Sequence, residues 1–216
     1  YDIPSKEILR SLFHIVVPVK PHSRWATSPT IETKRYFRIA FKEPVEIGTI
    51  IGNIGNCEVS YLKPSVPHPG NVNDDSQWIK VEDDFSDREF RVVVFPPDVK
   101  TTAIRFKFTI NKPILTPTRS VISGLIILKE RLFNHSFSAS VFVENYPSEN
   151  PKQMELYGPH RLIDGSLQEW RNNRKDNKPI TPENPSWVIL RWKEVKKIDG
   201  VYLVNVFGKK IAVDIY

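Results

Sequence analysis

The residues best equipped for chemistry in this sequence sit close together between His160 and Arg174. His160, Trp170, Arg171, Asn172, Asn173 and Arg174 combine an aromatic face with imidazole, guanidinium and carboxamide groups in a short polar span. That mixture suits sugars, whose C–H faces stack on rings and whose hydroxyls need several directed donors and acceptors. The chemistry is recognition, without bond cleavage. Trp170 also reads as a buried plug, since tryptophan is highly buried on average. The Arg171–Arg174 segment reads equally well as a solvated surface loop.

Reactive chemistry has less to stand on. His14, His22, His68, His135 and His160 never fall at metal-ligand spacing. There is no Gly-x-Ser-x-Gly elbow and no phosphate-binding glycine loop. No carboxylate pair stands out for glycoside cleavage. Asp74-Asp75 and Asp83-Asp84 offer the oxygens that calcium prefers, yet they lack the alternating spacing and central glycine of a dedicated loop. They read as solvated loops. An enzyme is not expected, and no cofactor is required.

The elements that must carry these residues are strands. With 40% hydrophobic and 26% charged residues, 216 residues are enough for a real core. Eighteen prolines against nine glycines favour short strands with stiff connections, because proline breaks helix interiors. Strand-like runs fall at Phe13–Val19, Tyr36–Phe41, Ile47–Ile51, Cys57–Leu62, Trp78–Val81 and Phe90–Phe95. Others follow at Ala103–Ile110, Val121–Leu128, Ser136–Val143, Trp187–Trp192 and Ile198–Val206. Lys6–Leu12 has the pattern of one helical turn, Lys42–Val45 of a turn, and Asn145–Lys152 of a proline-punctuated loop. Within Ala103–Ile110, Ile104, Phe106, Phe108 and Ile110 share one side, and Arg105, Lys107 and Thr109 the other. The fold class is all-β, a sandwich or barrel.

Cys57 lies in a strand-like run and reads as a small core residue. The longest apolar run, Val121–Leu128, is far short of the ~20 residues of a membrane span. The chain starts at Tyr1 and stops at Tyr216 inside a strand-like run, so it reads as a piece of a longer polypeptide. Its net charge of +6 is uneven. Residues 72–90 are acid-rich, while residues 161–178 carry Arg161, Arg171, Arg174, Lys175 and Lys178. Nucleic acid is not expected as a partner, because the basic residues are scattered and lack interleaved stacking aromatics.

Two parts of the chain follow one order. Tyr36-FRIAF-Lys42-Glu43 aligns with Trp187-VILRW-Lys193-Glu194, and Ile47 and Ile198 each open another apolar run. CEVSYL (57–62) aligns with IAVDIY (211–216), and Trp25 and Trp170 each precede the aligned lysine. In the first copy His22, Arg24 and Trp25 occupy the region that matches His160 and Trp170–Arg174. The expectation is two copies of one domain, the second ending about halfway.

At LIDG (162–165), Trp170, PSWVILRW (185–192) and IDGVYLVN (198–205), the chain resembles the discoidin-like, coagulation-factor C-type family of the galactose-binding-like superfamily. In the first copy the resemblance runs through Trp25, FRIAF (37–41), IGTIIGN (47–53), VSYL (59–62), Trp78 and TAIRFKF (102–108). It implies tandem jelly-roll-like β-sandwiches with ligands held by loops at one end. On that basis residues 1–21 are an unassigned N-terminal segment and residues 22–130 the first sandwich. Residues 131–153 are a linker with a first strand, and residues 154–216 a partial second sandwich. The resemblance also implies a structural calcium, for which Asp164 of the Ile-Asp-Gly turn is the matching ligand. Gly124 stands near where the first copy's Glu ligand would fall.

The expected function is a non-catalytic carbohydrate-binding module of a larger exported protein, with His160, Trp170, Arg171, Asn172, Asn173, Arg174, Arg24 and Trp25 as ligand contacts. Its partners would be a glycan and other domains of the parent, and the resemblance implies an extracellular, cell-surface or periplasmic location. The alternative is a structural or protein–protein docking module that accompanies a catalytic domain elsewhere in the parent.

Overall fold

Runs of β-branched and aromatic residues, cut by proline- and asparagine-rich turns, fold as strands because their side chains pack on a pleated surface. A computed structural model describes residues 15–17, 24–83, 90–111, 114–144, 151–164 and 183–198, with residues 181, 200, 201, 212 and 214. Among them the strands are β1 (Ile15–Val17), β2 (Arg24–Ala26), β3 (Lys34–Glu46), β4 (Thr49–Asn53), β5 (Cys57–Leu62) and β6 (Trp78–Lys80). They continue with β7 (Phe90–Val94), β8 (Lys100–Thr109), β9 (Val121–Leu128), β10 (Ser140–Val143) and β11 (Val188–Arg191). The described residues contain one α-helix, α1 (Pro151–Tyr157), and are otherwise overwhelmingly β. The chain divides into two compact units, Pro4–Phe133 and Asn134–Tyr216.

The first unit is a β-sandwich. One antiparallel sheet runs β1-β9-β4-β7, with β2 also paired to β9, and the other runs β3-β8-β5-β6. Ile50, Val93, Ile122 and Ile127 of the first sheet form one core with Val59, Ile104, Phe106 and Phe108 of the second. The inward series Ile104, Phe106, Phe108 is the period-two pattern of a half-buried strand. At Gly48 any Cβ would strike the backbone of Lys129 and Glu130, so only glycine allows that approach. Gly124 takes φ +60°, which glycine adopts without strain, beside the register shift between Ile51 and Asn53 where β9 meets β4.

Lys42–Val45 is not a turn. β3 continues through it to Glu46, and its register against β8 shifts between Ala40 and Val45. Pro44 is tolerated there because β3 is an edge strand and the stretch is irregular.

In the second unit β10 and β11 pair antiparallel, Phe142 facing Ile189. Trp192 donates its indole N–H to the His135 carbonyl at 2.7 Å. The strand pattern of Ser136–Val143 begins with a 3-10 turn at Ser136–Ser138 before β10. Of the loop expected over Asn145–Lys152, residues 145–150 lie outside the described residues and Pro151 and Lys152 open α1, with proline, needing no N–H partner, at its first position. Of the strand expected at Ile198–Val206, the described residues Ile198, Gly200 and Val201 belong to no strand. The helical turn at Lys6–Leu12 lies outside the described residues. β11 pairs with the upstream β10, whereas β3, its counterpart in the sequence alignment, pairs with the downstream β8. No helix among the described residues is long and apolar enough to cross a membrane.

Candidate functional site

One end of the first unit gathers the segments that follow β2, β4 and β8 and the one that leads into β9. Short hydrogen bonds lace the outer two together. Thr27 N donates to Ser120 O and Ser120 N to Thr27 Oγ1, both at 3.0 Å. Thr30 and Thr118 exchange backbone bonds at 3.0 and 3.1 Å, and Ile110 N reaches Thr33 O at 2.8 Å.

Two buried arginines fix these segments from within. Arg35, 4% exposed, donates Nη2 to Thr30 O at 2.9 Å and to Thr118 Oγ1 at 2.8 Å, and Nε to Glu32 O at 3.0 Å. Arg91 donates Nη1 to the carbonyls of Gly55 (2.9 Å) and Cys57 (2.6 Å), the two neighbours of Asn56. Its Nε reaches Asp83 Oδ2 at 2.8 Å. A guanidinium is suited to this, since its donors form a rigid fork. Burial pushes the nearby Cys57 thiol up to about 12, with the Arg91 charge offsetting part of the rise. Cys57 is thus a core residue and a poor nucleophile.

Held in this way, Asn56, Phe108, Thr109, Ile110, Asn111 and Ser120 line an open depression of about 400 Å³. Two carboxamides and two hydroxyls can both donate and accept hydrogen bonds. Phe108 and Ile110 add apolar surface, and none of the lining residues carries a charge. The arrangement can recognise a neutral, hydroxyl-bearing ligand.

Trp25, opposite Ile122 in β2, stacks on Phe37 with ring centroids 6.2 Å apart and packs against the core. Arg24 stands opposite Ser123 in the same ladder. His160 is exposed in a 3-10 turn, Pro159–Leu162. Just after it Asp164 accepts from Arg161 Nη1 at 2.9 Å, and Arg161 also holds the Glu155 carbonyl. Trp170, Arg171, Asn172, Asn173 and Arg174 lie outside the described residues, as does His22. Among the described residues no three His, Cys, Asp or Glu side chains gather as a metal site.

The acidic pairs are anchors where they are described. Asp75 stays 60% exposed, as a solvated loop would have it, whereas the Asp83 side chain is 6% exposed and the solvated-loop reading does not hold for it. Asp74 caps the 3-10 turn Asp75–Gln77 by accepting from Ser76 N at 3.0 Å. Asp75 accepts from Arg105 Nη1 at 2.7 Å and Lys107 Nζ at 2.6 Å, and Asp83 from Arg91. Arg105, read as an outward strand position, is buried because the loop of residues 63–77 folds over it.

Hydrogen bonds from Lys107 and then Arg105 hold the Asp75 carboxyl below the usual carboxylate range. A folded pKa below the unfolded value of about 3.9 gives stability that is complete above that value and is lost as pH falls through the folded one. Asp75→Asn is therefore expected to flatten the loss of stability below about pH 4. Urea midpoints across that range test this, and parallel curves for both proteins would contradict it.

Asn56, Asn111 and Ser120 were not singled out by sequence reasoning. Their only local signal is turn character, in Gly55-Asn56 and in Asn111 two residues before Pro113. Compared with protein-family models, with curated proteins and with solved structures, the chain matches none.

Proposed function

We propose that this chain is a non-catalytic carbohydrate-binding module that works within a larger exported protein at the cell surface, in the periplasm or outside the cell. The observation that carries this reading is the uncharged end depression, where Asn56, Asn111, Thr109 and Ser120 stand beside Phe108 and Ile110. Sugars need this pairing of directional polar groups with an apolar face. The resemblance to discoidin-like domains supports the same reading, with ligand loops at one end of a jelly-roll-like sandwich. It extends to tandem copies through the sequence alignment of FRIAF (37–41) with VILRW (188–192).

A glycan array probed with the full chain, followed by titration of Asn56→Ala/Asn111→Ala, tests the proposal. Each lost hydrogen bond is worth about 0.5–1.5 kcal/mol, so affinity should fall about 5- to 150-fold. Unchanged affinity in a folded double variant would reject the depression. A loss seen instead in Arg171→Ala/Asn173→Ala would move the site to the second unit.

A docking module is the second reading, favoured by the apolar side chains of the second unit. Phe142 and Ile189 are cross-strand partners and 43% and 51% exposed, and Trp187 beside them is 45% exposed. An array without hits would favour this reading.

A further inference from the structure

The outer face of the β3-β8-β5-β6 sheet carries a line of cations. Along β3, Arg35, Phe37, Ile39 and Phe41 turn toward the core, so Lys34, Tyr36, Arg38, Ala40 and Lys42 alternate outward. At about 3.4 Å per residue, Lys34 to Lys42 spans about 27 Å, with a cation about every 14 Å. Because β3 is an edge strand, the row borders open solvent. On β8, Lys107 stands opposite Tyr36 and Arg105 opposite Arg38.

Three carboxylates around this face are already engaged, while the exposed Glu43 follows Lys42 in β3. Glu58 lies 3.2 Å from Arg105 Nη2, and Asp75 bridges Arg105 and Lys107. Glu46, farther along β3, pairs with Lys129. Among the described residues no carboxylate pairs with Lys34, Arg38 or Lys42, and each of the three is exposed. Arg38 is also held in place, donating Nη1 to Gly70 O at 2.7 Å. That contact leaves other donors of its fork for a ligand.

We infer that this face binds a linear anionic glycan, a polysaccharide bearing carboxylate or sulfate groups. The lack of a stacking series decides against single-stranded nucleic acid. Single strands need successive stacking aromatics, where this row has only Tyr36. Lys34 faces Thr109, which lines the end depression, so the two surfaces meet. The choice of a glycan over other anionic chains rests on the sugar-binding reading of the depression, but the anion surface itself does not.

The test titrates the full chain, at low and at physiological salt, with heparin, polygalacturonate, dextran of matched length and a thymidine oligonucleotide. Heparin or polygalacturonate is expected to bind and dextran not, and the preferred one tells sulfate from carboxylate. Lys34→Gln/Arg38→Gln/Lys42→Gln should lower that affinity about tenfold or more and flatten its salt dependence. Lys34→Arg/Lys42→Arg should keep both. If no neutral sugar binds the chain yet the triple variant loses the anionic glycan, the reading of the depression fails and this surface stands. Unchanged affinity in the triple variant, equal binding of dextran, no binding of either anionic glycan, or tighter binding of the oligonucleotide would each overturn it.

Discussion

Arg91→Ala is expected to cost the first unit about 3–5 kcal/mol of stability. The Arg91 side chain is 1% exposed and that of Asp83 6%, so neither charge has water to fall back on. Nε and Nη2 of Arg91 both reach Asp83 Oδ2, while Nη1 holds the carbonyls of Gly55 and Cys57. Alanine deprives a buried carboxylate of its guanidinium and leaves two carbonyls without that donor. Removing both charges should hurt less than removing one, because the desolvation of Asp83 disappears with it. Arg91→Leu/Asp83→Leu is therefore expected to stay about 1–3 kcal/mol below the natural protein, the residue coming from the two carbonyls. Amide exchange in β4 and β8 under urea would report on this unit alone. A single variant within about 1 kcal/mol of the natural protein would contradict the argument, as would a double variant less stable than the single.

Arg105→Met should have the next largest effect, about 2–4 kcal/mol. Its guanidinium donates to Ser60 Oγ (3.1 Å), Val72 O (3.0 Å), Asp75 Oδ1 (2.7 Å) and Glu58 Oε1 (3.2 Å). It also lies 5.1 Å from the ring centroid of Trp78 and 5.9 Å from that of Tyr36, within cation–π range. Methionine keeps much of the bulk and none of the donors. The cost is set below that of Arg91 because Glu58 and Asp75 are 32% and 60% exposed and can rehydrate. The loss should show first in residues 63–77, whose amides should exchange faster while those of β4 and β9 change little. Arg105→Lys should recover only part, since an ammonium cannot reach four acceptors in one plane. Unaltered exchange in residues 63–77 of Arg105→Met would show that the loop is held by other means.

Arg105 also marks where the sequence stops informing. Ile104, Phe106 and Phe108 announce the inner face of β8 because a strand's period of two is a local property. Val121–Leu128 could also be read locally, as a β-rich run interrupted only by Ser123 and Gly124. On the outer face the same alternation assigns Arg105 to solvent. It is buried by a loop some thirty residues upstream, and no local pattern encodes that. Pro44 misled in the other direction. Proline suggests a turn wherever it stands, and only the edge position of β3 lets the strand run through it. The depression was hidden for a further reason. Asn56, the residues around Thr109 and Ser120 come from three segments that only the sheet order brings together. Candidates drawn from one stretch, such as Arg171–Arg174, follow proximity along the chain, which is a different thing from proximity in the fold.

The sheet order has a consequence for synthesis on the ribosome. β1 pairs with β9, more than a hundred residues later, and β3 with β8. At about 5–20 residues per second, β1 emerges roughly 6–20 s before the strand that will cover it. β4 gains β7 earlier but also waits for β9, which is its second neighbour. Ile50, Ile104 and Phe106 cannot be enclosed until Ile122 and Ile127 have been made. The nascent first unit is therefore a set of unpaired, sticky strand edges for most of its translation, a natural client for chaperones that bind extended apolar segments.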